Sequence, residues 1–211
     1  MVAYDALKEA IIRGDEAVVE AQVNQALGEG VDAKEIMTNG LIGGMEVVGK
    51  RFKAGEMFLP EVLLSAEVMH KGLDIVNPLL AKAGHKGIGT VVMGTVEGDI
   101  HDIGKKIVSL LLEGTGFEVI DLGVDVKAHT FLQAVEQHKP NVLGMSALLT
   151  TTMLNMGKTI DLLKEKKLRD KVKVIVGGAP VTEQFAKSIG ADGYALEAGS
   201  AVELVRKLVE S

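Results

Sequence analysis

The chain of 211 residues contains no cysteine and no tryptophan. Without cysteine it cannot form disulfide bonds, thiolate metal sites or a cysteine nucleophile. Aromatic residues make up only 3% of the chain, so the positions of its five phenylalanines are informative. Runs of lysine or arginine are also missing, and the formal net charge is −6. This charge pattern argues against a nucleic-acid partner.

Long apolar runs are missing as well. No segment reaches the roughly 18 consecutive apolar residues that a membrane-spanning helix needs. The first residues, MVAYDALKEAIIRGDEA, are charged and amphipathic, unlike a secretory signal. We therefore predict a cytoplasmic protein without a membrane partner. Its 47% hydrophobic residues are enough for the cores of one or two domains.

The first half of the chain has the apolar spacing of helices. One stripe with steps of three and four comprises Leu41, Met45, Val48 and Phe52. Breaks near Gly14, at 28–30 and at 54–60 separate about four predicted helices. We therefore predict a small helical bundle over residues 1–84, followed by a linker with the sequence AKAGHKG at 81–87.

The second half alternates strand-like and helix-like segments. The predicted strands are Ile88–Met93, Phe117–Leu122, Asn141–Ser146, Val172–Val176 and Gly193–Ala195. Amphipathic helices are predicted after the first, second, third and fifth of them. Alternating βα units imply a parallel sheet that is covered on both faces. Residues 88–211 are therefore predicted to form a doubly wound, flavodoxin-like α/β domain.

The loop after the first predicted strand is the strongest candidate for a functional site. It reads EGDIHDIG, residues 97–104, and places His101 between Asp99 and Asp102. Doubly wound domains bind ligands outside the carboxyl ends of their strands, where this loop is expected. A phosphate loop is disfavoured because the glycine spacing is too long and Lys106 replaces the required serine or threonine. A zinc site is disfavoured because the three side chains are too crowded to converge on one ion.

Two interpretations of the loop remain open from the residues alone. His101 is either the single protein ligand to a metal that brings its other ligands, as in a tetrapyrrole, or a solvated side chain. In the first case Asp99 would orient the imidazole through its second nitrogen. In the second case Asp99 or Asp102 would cap the following helix.

Several segments resemble a known family. D-x-H-x-x-G, from Asp99 to Gly104, resembles the corrinoid-binding signature of B12-dependent methyltransferases and mutases. SALLTTT at 146–152 and GGAP at 177–180 resemble two further family segments, in the expected order. RFKAGEMFLPEVLLSAEVM at 51–69 resembles the helical cap of cobalamin-dependent methionine synthase and of methyltransferase corrinoid proteins. The resemblance covers nearly the whole chain.

The resemblance implies roles for individual residues. His101 would be the lower axial ligand of cobalt in place of the corrin's own base, the base-off, His-on state. Asp99 would be its hydrogen-bond partner, and Thr152 the hydroxyl behind Asp99. Phe52 and Leu59 would cover the upper face of the corrin. The remaining residues expected to bind the cofactor are Gly98, Ile100, Asp102, Gly104, Ser146, Leu148, Thr150, Gly177, Gly178, Ala179 and Ala198.

The function that the resemblance implies is methyl transport. Cobalamin or a related corrinoid would accept a methyl group on Co(I) from a substrate-specific methyltransferase. It would yield the group from methyl-Co(III) to a second methyltransferase, whose acceptor is tetrahydrofolate or coenzyme M. A reductive activase is a further expected partner. The alternatives are a corrinoid-binding sensor without methyl transfer and a flavodoxin-like protein without corrinoid.

Cap and corrinoid domain together account for the chain, which leaves no room for the barrel that usually binds methyl donors. We therefore expect the protein not to be catalytic on its own. The donor, whether a methylamine, methanol, a methoxyaromatic compound or a betaine, would be chosen by the partner enzyme.

Overall fold

The structure is a computed structural model that describes residues 4–82 and 87–210. Most of the linker predicted at 81–87 lies outside these residues. Within them, no helix is both long enough and apolar enough to cross a membrane. The chain forms two compact units, one helical and one α/β, which comprise Met1–Gly87 with Glu113–Gly116 and Ile88–Leu112 with Phe117–Ser211.

The helical unit contains four helical runs within residues 4–82, as the apolar stripes predict. They are α1 (Tyr4–Arg13), α2 (Glu16–Gly28), a composite run of α3 (Ala33–Glu35), a π-helical stretch (Ile36–Ile42) and α4 (Gly43–Lys53), and finally α5 (Leu59–Lys82). The predicted breaks coincide with the turns between these runs. The predicted helical bundle is therefore confirmed.

Glycines allow the composite run to pack closely against α1. A Cβ atom added to Gly40 would lie 2.4 Å from Cδ2 of Leu7, and one added to Gly44 would lie 3.1 Å from Ile11. Leu7 and Ile11 are both buried. Glycine lowers helix stability by about 1 kcal/mol relative to alanine, and here it permits a contact that a side chain would obstruct.

The α/β unit is built on a parallel sheet with the order β2-β1-β3-β4-β5, five strands over the part of the chain that the structure describes. The strands are β1 (Thr90–Thr95), β2 (Glu118–Asp121), β3 (Val142–Ser146), β4 (Lys173–Gly177) and β5 (Gly193–Ala195). This is the flavodoxin-like order, whose switch point lies between β1 and β3. The predicted fold class is confirmed, and the predicted strand ends are correct to within two residues.

Helices follow all five strands, including one that the sequence did not predict. They are α6 (Ile103–Gly114), α7 (Ala128–His138), α8 (Leu154–Glu165) with a short 3-10 helix (Arg169–Lys171), α9 (Glu183–Ile189) and α10 (Ala198–Glu210). Helix α9 was missed because its 7 residues are too few to display an apolar stripe. It is capped by Thr182, which accepts the N–H of Phe185, and ends at Gly190 with φ 81°.

Two apolar cores hold β1, the strand between β2 and β3. Val92 of β1 packs in a core with Phe131 of α7 on one face of the sheet. Val91 packs in a second core with Leu112 of α6 and Val205 of α10. Successive residues of a strand point to opposite faces, so both cores fix β1 and the start of the loop that follows it.

Candidate functional site

The loop at residues 96–102 connects β1 to α6 at the carboxyl edge of the sheet, as predicted. It turns sharply at Gly98, which has φ 81°. The N–H of Asp99 then donates to the carbonyl oxygen of Val96 over 3.1 Å. This turn directs the Asp99 side chain into the protein, while His101 remains at the surface with 48% of its side chain exposed.

The Asp99 carboxylate is fully buried and accepts five hydrogen bonds. Its Oδ1 accepts from the backbone N–H of His101 (3.0 Å) and from the ring Nδ1 (2.8 Å). Its Oδ2 accepts from Thr152 Oγ1 (2.6 Å) and from the N–H groups of Leu148 (2.8 Å) and Leu149 (3.3 Å). Burial raises the pKa of Asp99, but the hydrogen bonds outweigh burial and hold that pKa well below its usual range. The carboxylate is therefore ionised.

This arrangement determines which nitrogen of His101 is available. An ionised carboxylate only accepts hydrogen bonds, so we assign the ring proton to Nδ1, which lies 2.8 Å from Asp99. Nε2 then carries a lone pair, and it makes no hydrogen bond with any residue that the structure describes. A histidine oriented by a carboxylate through one nitrogen is the usual form of a metal-ligating histidine. The structure thus brings together three predicted site residues, His101, Asp99 and Thr152.

Large apolar side chains are exposed at the same edge of the sheet. They follow β1, β2, β3 and β5 and comprise Ile100, Ile103, Val124, Leu148, Leu149 and Leu196. Ile100 is 73% exposed and Leu196 is 78% exposed. A cluster of this kind marks a binding surface for an apolar ligand.

The segment after β3 carries further predicted site residues. Ser146 ends β3 and is half-buried, whereas Leu148 and Thr150 are exposed. The backbone N–H of Leu148 is already used by the Asp99 carboxylate, so only its side chain faces outward. Ala198 begins α10 after β5 and is half-buried.

The glycines after β4 are explained by contacts within the protein. Gly178 has φ 120°, and a Cβ added there would lie 1.8 Å from the carbonyl oxygen of Ala147. A Cβ on Gly177 would lie 3.1 Å from the carbonyl oxygen of Ala195. Ala179 is exposed. Glycine is therefore required at Gly178 by the neighbouring segment after β3, whatever else binds there.

Two lysines at the start of α6 are occupied by carboxylates. Lys105 is buried and pairs with Asp121 at the end of β2. Nζ of Lys106 lies 2.6 Å from Oδ2 of Asp102, and this hydrogen bond lowers the pKa of Asp102. Gly104 is exposed, and a Cβ added to it would meet no atom within 4 Å beyond its own helix.

Phe52 and Leu59 lie in the helical unit. Phe52 is near the end of α4 and Leu59 starts α5, and both are half-buried. The neighbouring Phe58 is 70% exposed, and its backbone N–H donates to Oε2 of Glu61 over 2.7 Å. The most exposed aromatic residue of this segment is thus Phe58, which the sequence did not single out.

Three side chains that the sequence did not single out bind the loop at residues 96–102, which we call the histidine loop. Thr95 Oγ1 donates to the carbonyl oxygen of His101 over 3.0 Å. Asn155 Nδ2 donates to the carbonyl oxygen of Glu97 over 2.8 Å. Asp125, in the loop after β2, bonds to the same loop. The one feature of the sequence that could have indicated these contacts is Thr95, a threonine at the end of a mostly apolar strand.

Fold and site define a class of protein, a doubly wound domain that presents one carboxylate-oriented histidine at its switch point. Among the residues that the structure describes, no group of three or more histidine, aspartate or glutamate side chains could hold a metal ion. A metal at His101 would therefore have to bring its other ligands with it.

Comparison with known proteins assigns the family. Residues 89–206 match a family described as B12 binding domain, and residues 3–77 match a second family with the same description. A corrinoid protein of Desulfitobacterium hafniense (strain Y51) is 48% identical over 99% of this chain and 98% of its own. The trimethylamine corrinoid protein of Methanosarcina barkeri is 47% identical over 94% of this chain and 93% of its own.

A solved structure agrees with these matches. In the methanol:cobalamin methyltransferase complex MtaBC from Methanosarcina barkeri, one chain superimposes with a TM-score of 0.88 at 35% identity, over 98% of this chain and 79% of that chain. The chain therefore belongs to the corrinoid proteins with B12-binding domains, and the family resemblance of its sequence is confirmed.

Proposed function

We propose that the protein is a methyl carrier that binds a corrinoid in the base-off, His-on state. The observation that carries this proposal is His101, whose Nδ1 is held by the buried Asp99 carboxylate. Its Nε2 makes no hydrogen bond with any residue that the structure describes and lies at the carboxyl edge of the sheet. Family membership supports the cofactor class.

The residues present suit a large, flat and mainly apolar cofactor. His101 would ligate the cobalt from below, and Asp99 and Thr152 would hold its orientation. The exposed apolar side chains at the same edge, such as Ile100 and Leu148, would contact the ring. The nucleotide tail would be lined by residues after β1 and around the carboxyl ends of β3, β4 and β5. These residues are Gly98, Asp102, Gly104, Ser146, Thr150, Gly177, Gly178, Ala179 and Ala198. Phe52 and Leu59 would shield the upper face.

When bound, the corrinoid supplies the methyl-accepting and methyl-donating chemistry through its cobalt. The protein's own contribution is orientation. Because Asp99 is ionised and retains its bond to Nδ1, the lone pair of His101 Nε2 points to a fixed position. The buried hydroxyl of Thr152 adds a second constraint on the carboxylate.

The relatives suggest the partners. They include a trimethylamine corrinoid protein and a chain of a methanol:cobalamin methyltransferase complex. We propose that a substrate-specific methyltransferase loads this carrier from a methylamine or from methanol. A second methyltransferase would then pass the group to tetrahydrofolate or coenzyme M, and a reductive activase would restore the carrier after oxidation.

The ligation is tested by reconstituting the full chain with methylcobalamin beside His101→Ala. His129→Ala, a change of an exposed histidine in α7, is the matched control. We expect one cobalt per chain and a His-on absorbance spectrum for the wild type and the control, and a different base-off spectrum for His101→Ala. Identical spectra for all three would refute the axial ligand, and an absence of cobalt in the wild type would refute the cofactor.

The carrier role is tested separately from binding. For this test the chain is reconstituted with hydroxocobalamin and reduced to the Co(I) state with a low-potential chemical reductant. It is incubated with methylamine- or methanol-specific methyltransferases and a radiolabelled donor, and is then separated and chased with coenzyme M or tetrahydrofolate and the matching second enzyme. A carrier becomes labelled and loses the label to the acceptor. A corrinoid-binding sensor would retain cobalt but never acquire the label from any donor enzyme.

A further inference from the structure

We infer that Asp125 is a positioning residue for His101, acting through the backbone on both sides of Asp99. The inference rests on the proposed function, because the position of His101 matters for a ligand that its Nε2 binds. The hydrogen bonds that support it belong to the protein alone.

The loop that contains Asp125 is hydrogen-bonded to the end of β1. After β2 the chain runs beside the end of β1: the N–H of Thr95 donates to the carbonyl oxygen of Gly123 over 3.0 Å. The N–H of Val126 then donates back to the carbonyl oxygen of Thr95 over 2.9 Å. At the end of β2, Asp121 accepts the N–H of Gly123 and pairs with buried Lys105. Asp125 is therefore held from both sides.

Asp125 makes two hydrogen bonds that bracket Asp99. Its Oδ1 accepts the N–H of Gly98 over 2.7 Å, on the amino side of Asp99. Its own N–H donates to the carbonyl oxygen of Asp99 over 2.9 Å, on the carboxyl side. Because one hydrogen bond holds the backbone before Asp99 and one holds it after Asp99, the direction of the Asp99 side chain is fixed. The carboxylate of Asp99 in turn binds both the backbone N–H and the ring Nδ1 of His101.

The backbone conformation of Asp125 supports a specific role. Its φ is 53°, in the left-handed region that residues other than glycine rarely adopt, although aspartate and asparagine tolerate it best. The Asp125 side chain is exposed and adds no apolar burial. An exposed residue thus adopts an uncommon backbone conformation while it makes two hydrogen bonds to the histidine loop. This combination is typical of a functional constraint.

Thr95 and Asn155 differ from Asp125 in what they fix. Each makes one hydrogen bond to the loop, to the carbonyl oxygens of His101 and Glu97 respectively. Neither contacts the loop on both sides of Asp99, as Asp125 does through its side chain and its own backbone N–H. Removing the Asp125 side chain breaks the bond to Gly98 directly, and any change in its left-handed backbone would also displace the N–H that bonds to Asp99.

Three substitutions separate the acceptor from the backbone conformation. Asp125→Asn keeps an Oδ1 acceptor and tolerates the left-handed conformation. Asp125→Gly loses the acceptor but keeps the conformation, and Asp125→Ala loses the acceptor and disfavours the conformation. The backbone N–H that donates to Asp99 is present in all three variants. Asp161→Ala removes an exposed aspartate of α8 that pairs with Lys164, and serves as the control.

The first readout uses the full chain without corrinoid. Nitrogen NMR of the His101 ring reports whether Nδ1 carries the proton and is hydrogen-bonded. We expect wild type, Asp125→Asn and Asp161→Ala to show one such state. Asp125→Gly and Asp125→Ala should show loss or heterogeneity of it while circular dichroism still shows a folded chain. A wild-type signal in folded Asp125→Gly would overturn the inference, whether or not corrinoid binds.

The second readout uses the cobalamin-loaded chain in the Co(II) state. In a chain labelled with ¹⁵N-histidine, coordination by the histidine splits the cobalt EPR lines in two, whereas the ¹⁴N of the cofactor's own base splits them in three. The two-line fraction therefore measures His-on ligation per bound cobalt. We expect this fraction to fall in Asp125→Gly and Asp125→Ala, with about tenfold weaker retention of cobalamin, and to be restored in Asp125→Asn. Equal fractions in all variants would overturn the inference. Failure of the wild type to bind cobalamin would instead refute the proposed function, and the NMR result would still decide the role of Asp125.

Discussion

The helical unit and the α/β unit bury different kinds of side chain. Among the described residues of α1 to α5, the buried side chains are apolar except for Ser65. The α/β unit buries a carboxylate at Asp99, an ammonium group at Lys105 and the hydroxyls of Thr95 and Thr152. A helical bundle needs only complementary packing, whereas a ligand site needs polar groups in fixed directions, and these are stable in the interior only when fully hydrogen-bonded.

The two acids beside His101 give the largest expected effect. Asp99→Ala leaves the backbone N–H groups of His101 and Leu148 without this acceptor, so we expect the free energy of unfolding to fall by about 3 kcal/mol. Asp102 is partly exposed and pairs with exposed Lys106, and such ion pairs contribute little, so Asp102→Ala should lower stability far less than Asp99→Ala. Urea unfolding of both variants without corrinoid measures the difference. Equal losses would mean that burial does not distinguish the two carboxylates.

Acid should reveal the same contrast. The pKa of Asp99 is lowered in the folded protein from its ordinary value of 3.8. As the pH falls towards about 4, the unfolded chain takes up a proton before the folded chain does, so stability that is present at neutral pH is lost. We expect the wild type to lose more stability than Asp99→Asn between about pH 5 and pH 3, because the loss begins near the unfolded pKa and continues below it. Parallel losses in the two proteins would show that other groups account for the acid sensitivity.

Glycines test the helical side of the comparison. A Cβ on Gly40 would lie 2.4 Å from buried Leu7, so we expect Gly40→Ala to destabilise the protein by about 1–3 kcal/mol through overpacking. Gly49 lies in α4 with no atom within 4 Å of an added Cβ. Gly49→Ala should therefore stabilise it by up to about 1 kcal/mol through helix propensity. Thermal unfolding distinguishes the two. The same sign for both substitutions would show that packing against α1 does not govern Gly40.

Local patterns explain how much of this structure the sequence predicted. The helices of the bundle and the five strands follow from apolar spacing, and the position of His101 follows from a loop at the end of a buried strand. Partners from distant segments do not follow from local patterns. Asp125 and Asn155 reach the histidine loop from the segments after β2 and β3, and no spacing rule links them to residues 97–101.

The role of Gly178 has a related explanation. The family resemblance places Gly178 among the residues expected to bind the cofactor. In the structure, the backbone of Ala147 already requires a glycine there. A residue pattern can indicate that a side chain is excluded, but the excluding neighbour is known only once the strands are paired.

Two buried hydroxyls give the smallest expected effect and the finest form of the comparison. Thr152 in the α/β unit donates to Asp99, so Thr152→Val should lower stability by about 1–2 kcal/mol, and Thr152→Ser should restore most of it. Ser65 in the helical unit is fully buried, and its hydroxyl has no hydrogen-bond partner among the residues that the structure describes. Ser65→Ala should therefore be neutral or slightly stabilising, because no bond is lost and a buried polar group is removed.

Urea unfolding of Thr152→Val and Ser65→Ala under the same conditions decides this point. A clear loss of stability in Ser65→Ala would mean that its hydroxyl is hydrogen-bonded in solution. The helical bundle would then contain a buried, hydrogen-bonded polar group, as the α/β unit does. Unchanged stability in Ser65→Ala beside a loss in Thr152→Val would place the hydrogen-bonded hydroxyl in the unit that holds His101. Ser109 of α6 is likewise buried without a hydrogen-bond partner among the described residues. Hydrogen-bonded burial, rather than burial of a hydroxyl alone, would then mark the part of the fold that is shaped for a ligand.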